Sequence, residues 1–198
     1  MAKRRRRRRR LAPYVLGAVL FLLAVSVPAV LFLSWAGREV KEQTYPLDYA
    51  DIIQTAAREN GLDESLLRAV IWCESGYRPD AVSSIGARGL MQLTEETFDW
   101  VRWRLDEQDK TDFDDAFDPE TNVRYGAYLL RWLIDSFDGE TPTAIAAYHA
   151  GVNVVRGWLE NPAYSSDGKT LDEIPYQDTA AYVPKVLRVW ESYRSRTE

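Results

Sequence analysis

Glu74 follows Ile71, Val70 and Leu67 by three, four and seven residues, so on a helix its carboxylate shares the face of the apolar stripe. That is an unusual place for an acid. A carboxyl withdrawn from water has a raised pKa unless a cation or several donors compensate, and an acid titrating near neutrality suits general acid catalysis. The same spacing also fits a helix-end glutamate that reaches solvent or pairs with Arg78. The loop that follows, PDAVSSIGARGLMQLT, carries Gly86 and Gly89, which let the chain turn tightly and bring backbone close to a ligand. Within it Ser83 and Gln92 are neutral polar groups of the kind that orient hydroxyls and amides, or simply meet solvent.

Other chemistries fit poorly. Cys73 adjoins the acid but is flanked by apolar residues, which reads as a buried, inert thiol. With one His, His149, no nucleophilic triad can be assigned, and one His with one Cys cannot supply the usual closed zinc site or a disulfide. No glycine-rich turn is followed by Lys-Ser or Lys-Thr, so there is no phosphate loop.

The elements that must position Glu74 read as helices. Asp63 caps ESLLRAVIWCESG, Thr94 caps EETFDWVRWRL, and Asp118-Pro119 opens PETNVRYGAYLLRWLIDSF, closed by Asp138-Gly139. Before them, LDYADIIQTAARENG shows helical spacing up to Gly61. After them come TAIAAYHAG, opened by Thr141-Pro142, then VVRGWLE, and a last helix to about Tyr193. Pro184 predicts that this last helix begins close to it or bends there. No segment alternates apolar and polar residues for long, so the domain is mainly α. Trp72, Trp132 and Trp158 fall at core spacing and read as packing residues.

Charge divides the chain. Of 25 Lys and Arg, eight lie in residues 1–10, leaving 17 cations against 30 acids in the remainder, a net charge of −13. So acidic a body is a poor partner for nucleic acid. Residues 11–37 contain no charged side chain, enough at about 1.5 Å per residue to cross about 30 Å of hydrocarbon, and longer than the apolar core of a cleaved signal peptide. The expected organisation is a cytoplasmic basic tail (1–10), a single transmembrane anchor (11–37), a linker (38–46) and an extracytoplasmic domain (47–198).

Five motifs occur in order: Glu74-Ser75, Gly89-Leu90-Met91-Gln92-Leu93, Asn122 with Gly126 and Tyr128-Leu129, Ala147-Tyr148-His149-Ala150-Gly151, and Tyr182-Val183. Together they resemble the soluble-lytic-transglycosylase (SLT) domain family, a goose-lysozyme-like fold that cuts peptidoglycan, over Leu47 to about Tyr193. The resemblance implies that Glu74 protonates the oxygen between N-acetylmuramic acid and N-acetylglucosamine. It then accepts a proton from the muramic C6 hydroxyl, giving a 1,6-anhydro sugar without metal or cofactor. One well-placed acid fits this intramolecular route better than the paired carboxylates of most glycosidases. By the same resemblance Ser83, Gln92 and Tyr148 line the sugar groove, and His149, Asp178 and Tyr182 also fall at substrate-binding positions.

The chain departs from the family pattern at His149, commonly Asn, at Glu95, commonly Pro, and at Asp178, commonly Glu. The histidine replaces an amide and adds titration near neutrality, and the aspartate reaches less far by one methylene. Two other readings use the same residues. One is a lysozyme-type hydrolase in which water attacks, and the other is a non-catalytic peptidoglycan-binding scaffold. Protein partners are not legible in the sequence.

Overall fold

Short polar side chains in extended backbone set three of the helix starts, as the sequence pattern anticipates. A computed structural model describes residues 26–30, 46–108 and 110–196. Within it, Leu47–Glu198 packs as one unit. Helix α1 (Ala50–Asn60) stops at Gly61, whose φ of 60° lets its N–H turn back onto the Ala57 and Arg58 carbonyls. Helix α2 (Glu64–Ser75) starts where Asp63 accepts the Ser65 N–H at 2.8 Å. Thr94 accepts from the Thr97 N–H ahead of α3 (Glu95–Arg104), and Asp118 from the Thr121 N–H ahead of α4 (Pro119–Ser136).

Three starts differ from expectation. A 3₁₀ turn over Phe113–Phe117 precedes α4, fixed by a reciprocal cap between Asp112 and Asp115 that the sequence pattern did not flag. Helix α5 (Thr141–Ala150) takes Thr141 and Pro142 inside its first turn, with no side-chain cap on its first N–H groups. After α6 (Val152–Leu159), the final helix α7 (Gln177–Arg194) begins seven residues before Pro184 and continues through it. Pro184 is exposed, and the helix is carried past it by the apolar face of Val183, Val186 and Val189 on its other side.

Helix α2 packs along α7, and α7 against α5, while α4 bridges α1, α3 and α5. The α2–α7 pair is antiparallel: Trp190 Nε1 donates to Asp63 Oδ2 at 2.8 Å at one end, and Tyr182 meets Glu74 at the other. Leu67 and Ile71 of α2 are fully buried in this seam, each contributing about 1.5–3 kcal/mol. In α5 all of Thr143 to Ala147 is buried, as expected of a helix surrounded by others. Among the described residues there is no extended strand, only isolated bridges of Arg88 with Val82 and Leu93.

The expected membrane span at 11–37 lies outside the described residues except for 26–30, which are helical. Residues 1–10 and 38–45 also lie outside them. Among the described residues no helix is long and apolar enough to cross a membrane.

Candidate active site

The last turn of α2 carries Glu74 to the mouth of the α2–α7 seam, where the Tyr182 hydroxyl donates to its Oε1. Burial pushes the Glu74 carboxyl up to about 7, outweighing the Tyr182 hydrogen bond and the nearby Lys185 cation, both of which act downward. Arg78 does not pair with it. The Arg78 guanidinium donates instead to the Ser75 carbonyl at 2.9 Å. A carboxyl balanced near neutrality can both give and take a proton, which is what acid–base work in one site requires.

The loop between α2 and α3 is held in place by a buried amide. Asn122, fully buried on α4, accepts the Met91 N–H at 2.7 Å and donates to the carbonyls of Arg88 and Ala116 at 3.0 and 2.7 Å. Gly89 is required where this loop crosses: its φ is +77°, and a Cβ there would lie 2.1 Å from the Ala116 oxygen. Gly126 is needed for a different reason, because a Cβ would lie 2.3 Å from the Met91 sulfur. Tyr148, near the end of α5, donates its hydroxyl to the Met91 carbonyl at 2.8 Å. Burial and the charge of Glu74 raise its phenol well above the usual range, so it stays a neutral donor.

The residues expected to bind sugar separate into two groups. Tyr148, Tyr182 and His149 gather around Glu74: the imidazole lies on the Tyr182 ring with centroids 4.5 Å apart, and its Nδ1 is 3.0 Å from Thr179 Oγ1. His149 is exposed rather than packed away. Desolvation lowers its pKa and Asp178 opposes the change. Asp178 itself is exposed on the first turn of α7. Ser83 and Gln92 are engaged with their own loop. Ser83 Oγ accepts the Ala87 N–H at 3.0 Å, and both amide hydrogens of Gln92 are spent, on Ala81 and Gly89 carbonyls at 3.1 and 2.9 Å. Gln92 adopts a left-handed φ of 49°, a strained turn that those two bonds hold in place.

Lys185 was not foreseen. Its Nζ approaches the Cys73 carbonyl at 3.4 Å and lies 5.2 Å from the Trp72 ring centroid, beside the acid. The signal was available, since Lys185 is three residues after Tyr182 and so shares its helix face. Cys73 is partly buried and its thiol is pushed up to about 12 by desolvation, which suppresses the thiolate. Trp158 is buried as expected, but Trp72 and Trp132 are only partly so, which corrects their assignment to the core. Helical spacing marks the stripe without telling its centre from its rim. Among the described residues no three His, Cys, Asp or Glu side chains cluster as a metal site would require.

Two depressions flank the Tyr148–His149 step. One, of about 540 Å³, includes Tyr148, Trp100 and Trp132; the other, of about 550 Å³, includes His149, Tyr176 and Asp178.

The model of the transglycosylase SLT domain matches residues 51–170. The soluble lytic murein transglycosylase of Salmonella typhimurium is 32% identical over 154 residues, covering 77% of this chain and 24% of that protein. The membrane-bound lytic murein transglycosylase C of Shigella sonnei is 29% identical over 168 residues, covering 75% of this chain and 47% of the relative. Among solved structures, the 70 kDa soluble lytic transglycosylase of Escherichia coli superposes with a TM-score of 0.71 at 28% identity, over 79% of this chain and 26% of that one. The chain thus spans about a quarter of the length of the soluble relatives it matches.

Proposed function

The chain belongs to the transglycosylase SLT domain family, and from that premise we propose that it is a membrane-anchored peptidoglycan lytic transglycosylase with Glu74 as its catalytic residue. The observation that carries the reading is one carboxyl, held by the Tyr182 hydroxyl and raised by burial to about 7, with Tyr148 and His149 close by. Protonated Glu74 gives its proton to the oxygen linking N-acetylmuramic acid to N-acetylglucosamine, and the muramic C1–O bond breaks. The muramic C6 oxygen then closes on C1 while its proton passes to Glu74. The acid is regenerated, no water is consumed, and the product ends in 1,6-anhydro-muramic acid.

Tyr182 holds the carboxyl through Oε1, and Tyr148 fixes the Met91 backbone at the groove. Ser83, Gln92, His149 and Asp178 line the path of the glycan strand, with Ser83 and Gln92 acting through the shape of their loop. Residues 11–37 anchor the chain, residues 1–10 remain in the cytoplasm, and residues 38–46 link the anchor to a catalytic domain at 47–198 outside the membrane. A membrane-bound relative at 29% identity supports the anchored reading.

Mass spectrometry of muropeptides released by the purified protein tests the reaction. The expected product is lighter by one water than a reducing-end sugar. Release of reducing ends alone assigns a hydrolase, and no release at all assigns a binding scaffold.

A further inference from the structure

Consecutive residues of a helix point about 100° apart, so Tyr148 and His149 leave the end of α5 toward different neighbours. Tyr148 reaches the loop that carries Met91, and His149 reaches α7. There the imidazole lies on the Tyr182 ring, with centroids 4.5 Å apart and planes tilted by 32°, while Nδ1 is 3.0 Å from Thr179 Oγ1. Thr179 is buried and stands three residues before Tyr182, on the same face of α7, so His149 is held at two points of one surface. Tyr182 is only 8% exposed, and its hydroxyl donates to Glu74 Oε1. Contact therefore runs from α5 to the acid in three steps: imidazole, phenol, carboxyl.

Resting on the proposed function, in which Glu74 carries the chemistry, we infer that His149 is a positioning residue whose ring covers the Tyr182 phenol and keeps that hydroxyl aimed at the Glu74 carboxyl. A hydrogen bond weakens steeply as it is misaligned, and a phenol on two rotatable bonds keeps its direction where its faces are packed. Desolvation holds His149 below its ordinary value, so at neutral pH the ring packs as an uncharged aromatic. An asparagine, which the family pattern commonly has here, offers an amide for Thr179 but no ring to lay on the phenol. The titratable groups facing the imidazole are Asp178 and Tyr182, both on α7. Those facing Glu74 are Tyr148 of α5, Tyr182 and Lys185 of α7, and Cys73 of its own helix. Among the described residues Tyr182 is the group common to both sets, so an uncharged imidazole acts on the carboxyl through it.

The test joins the pH profile of peptidoglycan cleavage by the full chain in detergent to carbon-13 titration of the Glu74 carboxyl in the same protein. The variants are His149→Ala, His149→Phe, Tyr182→Phe and the double variant His149→Ala with Tyr182→Phe. His149→Ala should lower kcat about two- to tenfold and raise the Glu74 midpoint by about 0.3–1 pH unit in both measurements, because the weakened Tyr182 bond had acted downward. His149→Phe keeps a flat ring that cannot titrate, and it should stay near wild type. In the Tyr182→Phe background His149→Ala should add nothing to the midpoint. A change in KM alone, an unmoved midpoint in folded His149→Ala, or an equal shift with and without the Tyr182 hydroxyl overturns the brace. A His149→Phe that behaves as His149→Ala overturns it as well. Failure of the proposed function looks different: wild type then leaves peptidoglycan uncut, whereas the carbon-13 midpoints are read without substrate.

Discussion

Two glutamates in this protein accept a hydrogen bond from a tyrosine hydroxyl, and they titrate in opposite directions. Tyr182 donates to Glu74, whose carboxyl is raised to about 7, while Tyr125 donates to Glu107 at 2.8 Å, whose carboxyl is lowered. The tyrosine therefore does not decide the sign. At Glu107 the decisive partner is Arg124, which grips both oxygens at 2.9 and 2.7 Å and cancels the cost of withdrawing the charge from water. Glu74 has no such fork. The cation near it, Lys185, is committed to the Cys73 carbonyl and the Trp72 ring, so burial dominates. One arrangement fastens the segment after α3 to α4, and the other keeps a proton available.

Neutralising each acid in turn separates the two roles most widely. Glu74→Gln keeps the shape and most hydrogen-bonding capacity but cannot exchange the proton, so turnover should fall by about 10²–10⁴-fold while peptidoglycan binding persists. Glu107→Gln should retain catalysis and lose stability, because Arg124 is left without its carboxylate. Muropeptide release and thermal unfolding of both variants measure this. Near-wild-type turnover in Glu74→Gln, with loss in Asp178→Asn, moves the acid to α7.

The contrast also predicts opposite pH dependences of stability. Glu74 titrates at about 7 in the folded protein and near 4.5 unfolded, so the folded state holds the extra proton between those values. Stability from this group is thus highest below about pH 4.5 and declines as pH rises through about 7, by on the order of 3 kcal/mol. For Glu107 the sign reverses: its lowered pKa contributes stability present above its unfolded value and lost as pH falls through the folded one. Unfolding midpoints across pH should show Glu74→Gln more stable than wild type above about pH 7. Glu107→Gln should instead lose the drop on the acid side. Parallel curves for wild type and Glu74→Gln would remove the raised pKa from the account.

Removing the buried amide should cost a comparable amount. Asn122→Ala leaves the Met91 N–H and two carbonyls without their partner, a loss of about 3 kcal/mol or more in denaturant unfolding. This position also shows where sequence reasoning stops. The helix starts at Asp63, Thr94 and Asp118 were legible because capping is local chemistry. Glu74 was legible because the apolar stripe on its own helix already implied burial. Asn122 was legible only as a motif position, since its partners lie 31, 34 and 6 residues away. The roles of Gln92 and Lys185 are tertiary in the same way: the sequence offers a polar side chain, and the fold decides whether it meets a backbone carbonyl, an indole or a ligand. Pro184 misled because a local rule was outweighed by the apolar face that α7 buries.

The smallest effect expected is at Lys185, and it bears most directly on the comparison. If burial sets the Glu74 pKa and the cation only moderates it, Lys185→Met should raise the alkaline midpoint of kcat/KM slightly and leave the plateau rate within a few-fold. Tyr182→Phe should move the midpoint the same way and further, since the hydroxyl acts on Glu74 more strongly than the cation does. His149→Asn separates the remaining titration: desolvation lowers the histidine from its ordinary value, and if Glu74 sets the alkaline limb, removing the histidine should leave that limb in place. A fall of the midpoint in Lys185→Met would mean that the lysine does not act on Glu74 as a cation. An alkaline limb that vanishes in His149→Asn would assign the titration to the histidine, and Glu74 would then differ from Glu107 less than the burial argument requires.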